Sequence, residues 1–528
     1  MRIKAFLSSR QWIISAIIYP MSWVTYSGLN LSFLAWIAFV PLFVHLKNHH
    51  ESFMRFYGPS VAVILSWAVL SAGWLFHFPN PLWKVAIAFF GDILHISAPF
   101  LFLFFMQKKL GFRHSLVLFP FLWTAWEWLY IPWEHTMGTH LLAYGQGNNL
   151  WLIQMVDIGG VWIVSFWVIL FNVVIYFALE KVNFNYKSKQ FAISVLKRMS
   201  WLIIPSFLYS AYAFQKLEAE DTKSIQVSII PTQFDADYLG NEKNQKAIIE
   251  ETLHRTDSLA FDLIEKDRRS DLYVWPEAGT SYWAGFPNIT SILQQATNDW
   301  EGTLLTGCKG IPIQGEDRLA HISAVMVSPS LDSIHLSRPL QYHHKTILSP
   351  GGEAIPYKHL ILPLLSEDLQ YATFFEAGRS FEPLQIETRN GESFKTGLSL
   401  CYEQWFPLVW TKTSQKGAEF FVHMAAEGWY GDYGFAQFMA NVTRFRAIEN
   451  RKAVVRSSNK GLSLIIDNQG IFREKVSYGS LEIKTAEVQT STKITWFSKY
   501  PNTIPIGCLI TLISSFLFRL MKLKKSNL

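Results

Sequence analysis

Three stretches of the sequence place a residue capable of acyl chemistry beside a short apolar run. Glu277 closes "SDLYVWPE", Cys401 closes "FKTGLSLC", and Lys345 opens "KTILSPGGE", in which Glu353 follows a pair of glycines. Polar side chains at the ends of buried strands project into a cleft, where α/β enzymes place their reacting groups. These four residues are therefore the first candidates for an active site.

Cysteine, glutamate and lysine together form a complete set for acyl transfer. A cysteine attacks as its thiolate, so it needs a base, and a carboxylate serves if burial raises its pKa. A lysine can stabilise the oxyanion of the tetrahedral intermediate. Because carboxylates beside the thiol raise its pKa, Lys345 is expected to offset Glu277 so that thiolate forms at Cys401.

Each of these residues taken alone has a more common structural role. A glutamate at a strand end is usually a surface or salt-bridge residue, and a single lysine is usually a solvated charge. A cysteine after an apolar run is most often a small core residue. The functional interpretation therefore depends on the three residues coming together.

The region from about 223 to 490 alternates between strand-like and helix-like patterns, which predicts an α/β domain with a buried sheet. Residues 241–267 predict a long amphipathic helix and residues 436–455 a second one. The predicted strands are "SIQVSII", "SDLYVWPE", "GTLLTGC", "HISAVMVS", "FKTGLSLC" and "AEFFVHMA".

Composition indicates that the rest of the chain is a membrane domain. Apolar residues make up 50% of the sequence and charged residues 17%, which is too apolar for an ordinary soluble protein. The apolar residues gather in stretches near the ~20 residues that cross a bilayer. They predict eight spans, the first with a cleaved leader as its alternative: 11–27, 29–46, 57–78, 85–106, 115–133, 158–179, 200–215 and 504–520.

The basic residues predict the orientation of these spans. With a cytoplasmic N-terminus, the segments on the inside hold seventeen Lys and Arg, whereas the short outside loops of the first six spans hold only Lys84. Seven spans in residues 1–220 then place residues 221–495 on the outer face, and residues 496–528 return the chain to the cytoplasm. The net charge of +6 follows from this asymmetry and does not indicate nucleic-acid binding.

Two other groups of residues have structural interpretations. Cys308 is expected to be a buried apolar residue, and Cys508 to pack within the last span. Asp92 and Glu127 are costly in lipid and should face protein. We expect them to hydrogen-bond between helices, with contact to a phospholipid headgroup as the alternative.

The ordered motifs "WPEAG", "KTILSPGGE", "CYEQWFP", "EGWYG" and "RFRAIENRKAVVRSSNKG" resemble the nitrilase superfamily. A nitrilase-like domain between membrane spans is similar to the apolipoprotein N-acyltransferase family, and "AYGQGNNLWLIQMVDIGG" resembles its membrane part. The chain departs from that family at Ala426 and Glu427 in "HMAAEGWYG", and at Tyr130, where a basic residue is common.

The resemblance implies an αββα sandwich and a role for each site residue. Cys401 would be the nucleophile, Glu277 the general base and Lys345 the oxyanion partner. The backbone N–H of Tyr402 would be a second oxyanion donor, with Glu353 as a supporting acid and Glu403 also lining the site.

The resemblance also implies a two-step reaction at the bacterial inner membrane, with the catalytic domain on the periplasmic side. An acyl chain would pass from a phospholipid to Cys401, and then to the α-amino group of a diacylglyceryl-cysteine at the N-terminus of a lipoprotein. No metal or organic cofactor is expected. The alternatives are a membrane-anchored amidase acting on a small C–N substrate, and a transporter or scaffold whose outer domain only binds.

Overall fold

The computed structural model describes thirteen segments of the chain and divides it into two compact units. The first unit comprises residues 1–215 and 500–528, and the second comprises residues 216–499. The described segments are 10–23, 30–71, 82–185, 189–218, 223–235, 238–239, 241–277, 279–280, 288–309, 321–330, 340–361, 375–430 and 434–526.

The first unit is helical throughout its described part. Short helical turns at Ser32–Trp36, Leu142–Gln146 and Leu150–Ile153 connect longer helices. These are α1 (Trp12–Met21), α2 (Val40–Asn48), α3 (Phe53–Ser71), α4 (Leu82–Leu110), α5 (Phe112–Tyr130), α6 (Val156–Lys181), α7 (Lys189–Glu218) and, from the end of the chain, α12 (Thr503–Ser526).

Within the described residues, three helical stretches are long and apolar enough to cross a membrane: Ile93–Leu110, Val156–Lys181 and Lys189–Lys216. They correspond to the spans predicted at 85–106, 158–179 and 200–215. The other five predicted spans are not confirmed. The stretch predicted at 29–46 is not one helix, because the short turn Ser32–Trp36 precedes α2, which begins only at Val40. Pro41 occupies the first turn of α2, where its missing N–H costs no helical hydrogen bond.

Buried polar side chains in this unit hydrogen-bond to nearby helices and turns. The Glu127 Oε1 accepts hydrogen bonds from Trp123 Nε1 at 2.9 Å and from the Leu142 N–H at 2.8 Å. The Asn172 side chain accepts from the Phe39 N–H and donates to the Ala35 carbonyl, each at 2.8 Å. Glu127 therefore hydrogen-bonds within the bundle as expected, whereas the Asp92 side chain lies outside the described residues.

The second unit is an α/β domain whose described strands form two six-stranded sheets. The strands are β1 (Ser224–Ile229), β2 (Leu272–Val274), β3 (Thr303–Lys309), β4 (Ile322–Val327), β5 (Gln341–His344), β6 (Leu384–Glu387), β7 (Ser393–Leu400), β8 (Phe420–Ala426), β9 (Val454–Asn459), β10 (Ser463–Ile466), β11 (Phe472–Val476) and β12 (Lys484–Gln489). The helices are α8 (Gln245–Glu265), α9 (Ile289–Trp300), α10 (Pro407–Gln415) and α11 (Phe435–Asn450), with single turns at Glu242–Asn244, Lys358–Ile361, Cys401–Trp405, Gly428–Tyr430 and Trp496–Lys499.

The two sheets pack face to face with helices outside each of them. The first sheet has the order β12-β1-β2-β3-β4-β5 and the second the order β11-β10-β9-β8-β7-β6. One core cluster joins residues of both sheets, including Val274, Leu305 and Leu400, and a second joins α8 and α9 to the first sheet. Helices α10 and α11 contact the second sheet, so the layers are α-β-β-α, as the sequence predicts.

Residues 436–455 are not one helix, which corrects the sequence prediction. Helix α11 ends at Asn450, because Arg451 takes a left-handed conformation with φ of +50°. Val454 then begins β9 in the middle of the second sheet, where a β-branched residue packs well. Cys308 and Cys508 are both buried, as predicted.

Candidate active site

The predicted site residues lie just beyond the ends of three strands. Glu277 follows β2, Lys345 follows β5 and Cys401 follows β7. β2 and β5 belong to one sheet and β7 to the other, so the residues converge from both sheets. The Lys345 N–H also donates to the Ile322 carbonyl at 2.8 Å, which fixes the start of its loop against β4.

Lys345 is the centre of a buried ion cluster. Its Nζ lies 3.0 Å from Glu277 Oε1 and 2.6 Å from Glu353 Oε1, and its side chain is fully buried. The second Glu353 oxygen accepts the Ser349 N–H at 2.8 Å. Burial by itself lowers the pKa of Lys345, but Glu277 and Glu353 outweigh it and the pKa lies well above its ordinary value. The two carboxyl groups therefore favour the protonated form of Lys345.

The pKa of Glu277 is raised, chiefly because the carboxyl is buried. Lys345 opposes this shift, Glu353 adds to it, and a hydrogen bond with the Cys401 thiol lowers the pKa again. A carboxylate with a raised pKa that accepts the thiol proton is the arrangement a general base requires.

Cys401 is held in a backbone conformation that side chains rarely adopt. Its φ is +43°, in the left-handed region that costs a non-glycine residue about 1–3 kcal/mol. It begins the turn Cys401–Trp405 directly after β7 and is half-buried. The strained turn aims the thiol out of the strand and toward the ion cluster.

The pKa of the Cys401 thiol lies well above its ordinary value. Burial raises its pKa first, Glu277 raises it further, and Lys345 lowers it without outweighing them. A backbone hydrogen bond from Ala426 also lowers it. Together these contributions favour the thiol over the thiolate.

Glu403 is buried, and its hydrogen bonds connect the turn after β7 to the loop after β5. Its Oε1 accepts from the N–H groups of Thr346 and Ile347 at 2.7 and 3.1 Å, and from the Thr346 hydroxyl at 2.6 Å. Its Oε2 accepts from the Leu400 N–H at 2.8 Å. These hydrogen bonds fix the residues before Cys401 relative to those after Lys345.

The residues that depart from the family pattern have visible contacts. Ala426 contacts the Cys401 sulfur through its backbone, so the identity of its side chain does not decide that contact. Glu427 is buried in an ion pair with Arg456, and its Oε2 accepts the Ser458 hydroxyl at 3.0 Å. Tyr402 is buried with its ring 5.1 Å from that of Phe406, and its oxyanion role stays a prediction.

Two residues near the centre are missing from the sequence prediction. Lys309 ends β3 and interacts electrostatically with Glu277, Glu353 and Lys345. Tyr430 is half-buried, and its pKa is raised, first by the loss of solvent around its hydroxyl and then by Cys401. The strand-end rule that identified Glu277 and Cys401 could have identified Lys309, whereas nothing in the composition of "EGWYG" singles out Tyr430.

Among the described residues, no group of three or more His, Cys, Asp or Glu side chains could hold a metal ion. The cluster instead offers a thiol nucleophile, an acceptor for its proton and a buried cation at the same point. These are the parts needed for attack on a carbonyl carbon through a tetrahedral oxyanion.

Two family models match the chain in separate regions. The apolipoprotein N-acyltransferase N-terminal domain matches residues 15–174, and carbon-nitrogen hydrolase matches residues 241–496. The first match lies in the helical unit and the second covers all the site residues described above.

Curated relatives match almost the full length of the chain. The apolipoprotein N-acyltransferase of Chlorobaculum tepidum is 28% identical over 94% of this chain and 93% of its own length. That of Geobacter metallireducens is 26% identical over 94% of this chain and 92% of its own length. Among solved structures, a carbon-nitrogen hydrolase from Helicobacter pylori is 18% identical, covers 50% of this chain and 89% of its own, and has a TM-score of 0.36.

Proposed function

Since the chain belongs to the apolipoprotein N-acyltransferase family, we propose that it N-acylates lipoproteins in two steps through a thioester on Cys401. The donor is a phospholipid. The acceptor is the α-amino group of the diacylglyceryl-cysteine at the N-terminus of a lipoprotein. Each step of the proposed mechanism uses side-chain or backbone groups of this chain.

The assignment of roles rests on one observation. The Cys401 thiol hydrogen-bonds to Glu277, and Lys345 forms ion pairs with both Glu277 and Glu353. A structural cysteine would not need a base with a raised pKa, and a structural salt bridge would not need a half-buried thiol beside it. The combination supports covalent catalysis.

In the first step the thiol proton passes to Glu277 as the sulfur attacks the ester carbonyl of the phospholipid. Lys345, with the backbone N–H of Tyr402, stabilises the oxyanion that forms. The carbon–oxygen bond then breaks, and Glu277 returns the proton to the leaving oxygen. The products are a lysophospholipid and an acyl thioester on Cys401.

In the second step a neutral α-amine of the acceptor attacks the thioester. Glu277 takes a proton from the amine nitrogen as the carbon–sulfur bond breaks, and the sulfur recovers that proton. The new amide is more stable than the thioester, so acyl transfer to the amine is favourable.

The proposal also includes a cellular location for the protein. The apolar helices anchor it in the bacterial inner membrane, and the basic residues of the sequence favour a periplasmic position for residues 221–495. Diacylated lipoproteins and phospholipids are both available there.

The experiment that tests the proposal is a search for the acyl-enzyme. Purified full-length protein incubated with phospholipid and no acceptor should carry a hydroxylamine-labile acyl mass on the peptide that contains Cys401. Cys401→Ala should carry none and should acylate no lipoprotein. Cys401→Ser should be nearly inactive, because a hydroxyl is harder to deprotonate and its ester reacts slowly with amines.

Two other cysteines supply matched controls. Cys308→Ala and Cys508→Ala each remove a buried thiol that is not part of the ion cluster, and both should form the adduct. An adduct that persists in Cys401→Ala would overturn the thioester mechanism. Hydrolysis of a small amide at a rate exceeding acyl transfer would favour the amidase alternative instead.

A further inference from the structure

Lys309 occupies the last position of β3, on the face that looks into the space between the two sheets. Side chains alternate between the faces of a strand, so Leu305, Gly307 and Lys309 share one face. Leu305 belongs to the core cluster that joins the two sheets, whereas Leu304 and Cys308 pack against helices on the opposite face. Lys309 therefore lies on the face of β3 between the two sheets, at the end of the strand where the site residues lie.

Its neighbours on the sheet place it beside the catalytic cluster. β3 lies between β2, which Glu277 follows, and β4. Lys309 pairs with Ile322 across the β3–β4 ladder, and the carbonyl of Ile322 accepts the Lys345 N–H. Lys309 and Lys345 therefore lie at the same end of the first sheet, and each is a backbone neighbour of Ile322.

The ammonium group of Lys309 lies near the segment that carries Glu353. Its Nζ lies 5.0 Å from the centre of the Phe375 ring, and the Phe375 N–H donates to the Glu353 carbonyl at 3.0 Å. Burial lowers the pKa of Lys309, while Glu277 and Glu353 raise it. The interaction is reciprocal, so the Lys309 ammonium also favours the ionised form of Glu277.

The ion cluster of Lys345, Glu277 and Glu353 has one lysine for two carboxyl groups. Glu277 and Glu353 carry two negative charges when ionised, and Lys345 alone supplies one positive charge to both. An excess negative charge in a largely buried site favours protonation of one carboxyl. A protonated Glu277 cannot accept the proton of the Cys401 thiol.

We propose that Lys309 is a positioning residue for the reaction, whose ammonium keeps the Glu277 carboxylate ionised so that it can take the thiol proton. Lys309 acts through Glu277 and contacts neither substrate. The inference deepens the proposed function, since it rests on Glu277 acting as the base.

The charged and titratable groups around Glu277 set the sign of the effect. Those that interact with it are Lys309, Lys345, Glu353, Cys401 and Tyr430. Loss of the Lys309 charge leaves the other four in place and removes one attraction for the ionised carboxylate. The pKa of Glu277 then rises. As the pH is lowered, Glu277 becomes protonated and stops acting as a base at a higher pH than in the wild type.

The test measures alkylation of Cys401 by iodoacetamide as a function of pH, using full-length protein in detergent. Mass spectrometry of the peptide containing Cys401 gives its rate separately from those of Cys308 and Cys508. In Lys309→Met the acid-side midpoint of the rate should move up by roughly 0.5–1 pH unit, the size expected for the loss of one nearby charge that is not in direct contact. Lys309→Arg keeps the charge and should restore the wild-type midpoint.

Lys266→Met is the matched control, because Lys266 is an exposed lysine paired with Asp262 on the surface of the same unit. It should leave the midpoint unchanged. Lys309→Gln is measured beside Lys309→Met, so that a folding defect peculiar to methionine is recognised from thermal unfolding. A wild-type midpoint in a folded Lys309→Met or Lys309→Gln variant overturns the inference.

This readout is independent of the lipid substrates. If no acyl adduct forms on Cys401 from phospholipid, the proposed function fails, while a shifted alkylation midpoint still supports the action of Lys309 on Glu277. If the adduct forms normally and the midpoint does not move, the proposed function stands and the inference about Lys309 falls.

Discussion

In the proposed mechanism, the Cys401 thiol loses its proton only as it attacks the substrate. The pKa of Cys401 is raised by burial and by Glu277, and that of Glu277 is raised by burial. A neutral thiol beside an ionised base is less open to oxidation than a free thiolate. Proton transfer then accompanies attack on the carbonyl, and Lys345 acts mainly on the oxyanion.

Substitution of Lys345 tests that role. Lys345→Met keeps most of the side-chain length and removes the buried cation between Glu277 and Glu353. Acyl-adduct formation should fall by roughly 10²–10³-fold, the usual cost of losing one oxyanion donor. The measurement is the rate at which the acyl mass appears on the Cys401 peptide.

The control for this variant is Lys475→Met, because Lys475 lies on β11 and donates to Gln437 away from the site. It should retain the wild-type rate. Full activity of Lys345→Met at a normal protein level would show that the lysine serves only as a structural charge.

Two close contacts between elements hold the residues of the site in register. Glu403 fastens the turn after β7 to the loop after β5. Gly307 of β3 lies directly against the backbone of Glu277, since a Cβ there would overlap the carbonyl oxygen and the Cα of Glu277. Only glycine allows β3 and the segment after β2 to approach so closely.

Gly307→Ala should therefore displace the base. The overlapping atoms belong to the backbone, which cannot turn aside as a flexible side chain can. Because a shift of about 1 Å at a catalytic group can cost 10²-fold in rate, we expect adduct formation to fall by that order. Thermal unfolding of the same variant shows whether the fold is retained.

Gly428→Ala provides the comparison, since its Cβ would lie 3.4 Å from the nearest side-chain atom, an ordinary contact. It should unfold at close to the wild-type temperature and keep its adduct rate within a few-fold. Equal rates in Gly307→Ala and Gly428→Ala would mean that the approach of β3 does not position Glu277.

The sequence predicts the central strands better than the edges and the connections. β1, β3, β4, β7 and β8 are rich in apolar and β-branched residues, so their patterns are clear. β5 and β6 lie at sheet edges and mix polar with apolar residues, and β9 follows α11 so closely that Val454 reads as helix.

The sequence likewise predicts those site residues that local patterns identify, but not those that only the tertiary structure brings together. Glu277, Lys345, Glu353 and Cys401 stand out because each follows an apolar run or a glycine pair, and the structure brings them together. The contact of Ala426 with the sulfur is made by the backbone, which no residue type reveals. The strand-end position of Lys309 is visible in the sequence, but its place beside Glu277 depends on which strands are neighbours.

At the scale of the whole molecule, the chain combines a helical unit with an α/β unit that carries the site. Three helical stretches are long and apolar enough to cross a membrane among the residues that the structure describes. The predicted assignment of residues 1–220 and 496–528 to the membrane and its inner face, and of 221–495 to the outer face, stays a prediction. The proposed acceptor depends on it, because lipoproteins receive their acyl chains outside the cytoplasm.

Reporter fusions test this orientation. Gly391 lies in an exposed turn between β6 and β7, so an insertion there should leave both sheets intact. A reporter enzyme that is active only outside the cytoplasm should be active when inserted at Gly391 and inactive when fused after Lys525. The reason is the distribution of basic residues, seventeen in the predicted inside segments against Lys84 alone in the short outside loops. A second reporter, active only in the cytoplasm, should give the reciprocal result at the same two positions. The reverse pattern would place Cys401 on the cytoplasmic side and would exclude a periplasmic lipoprotein as the acceptor, even if the thioester on Cys401 forms as proposed.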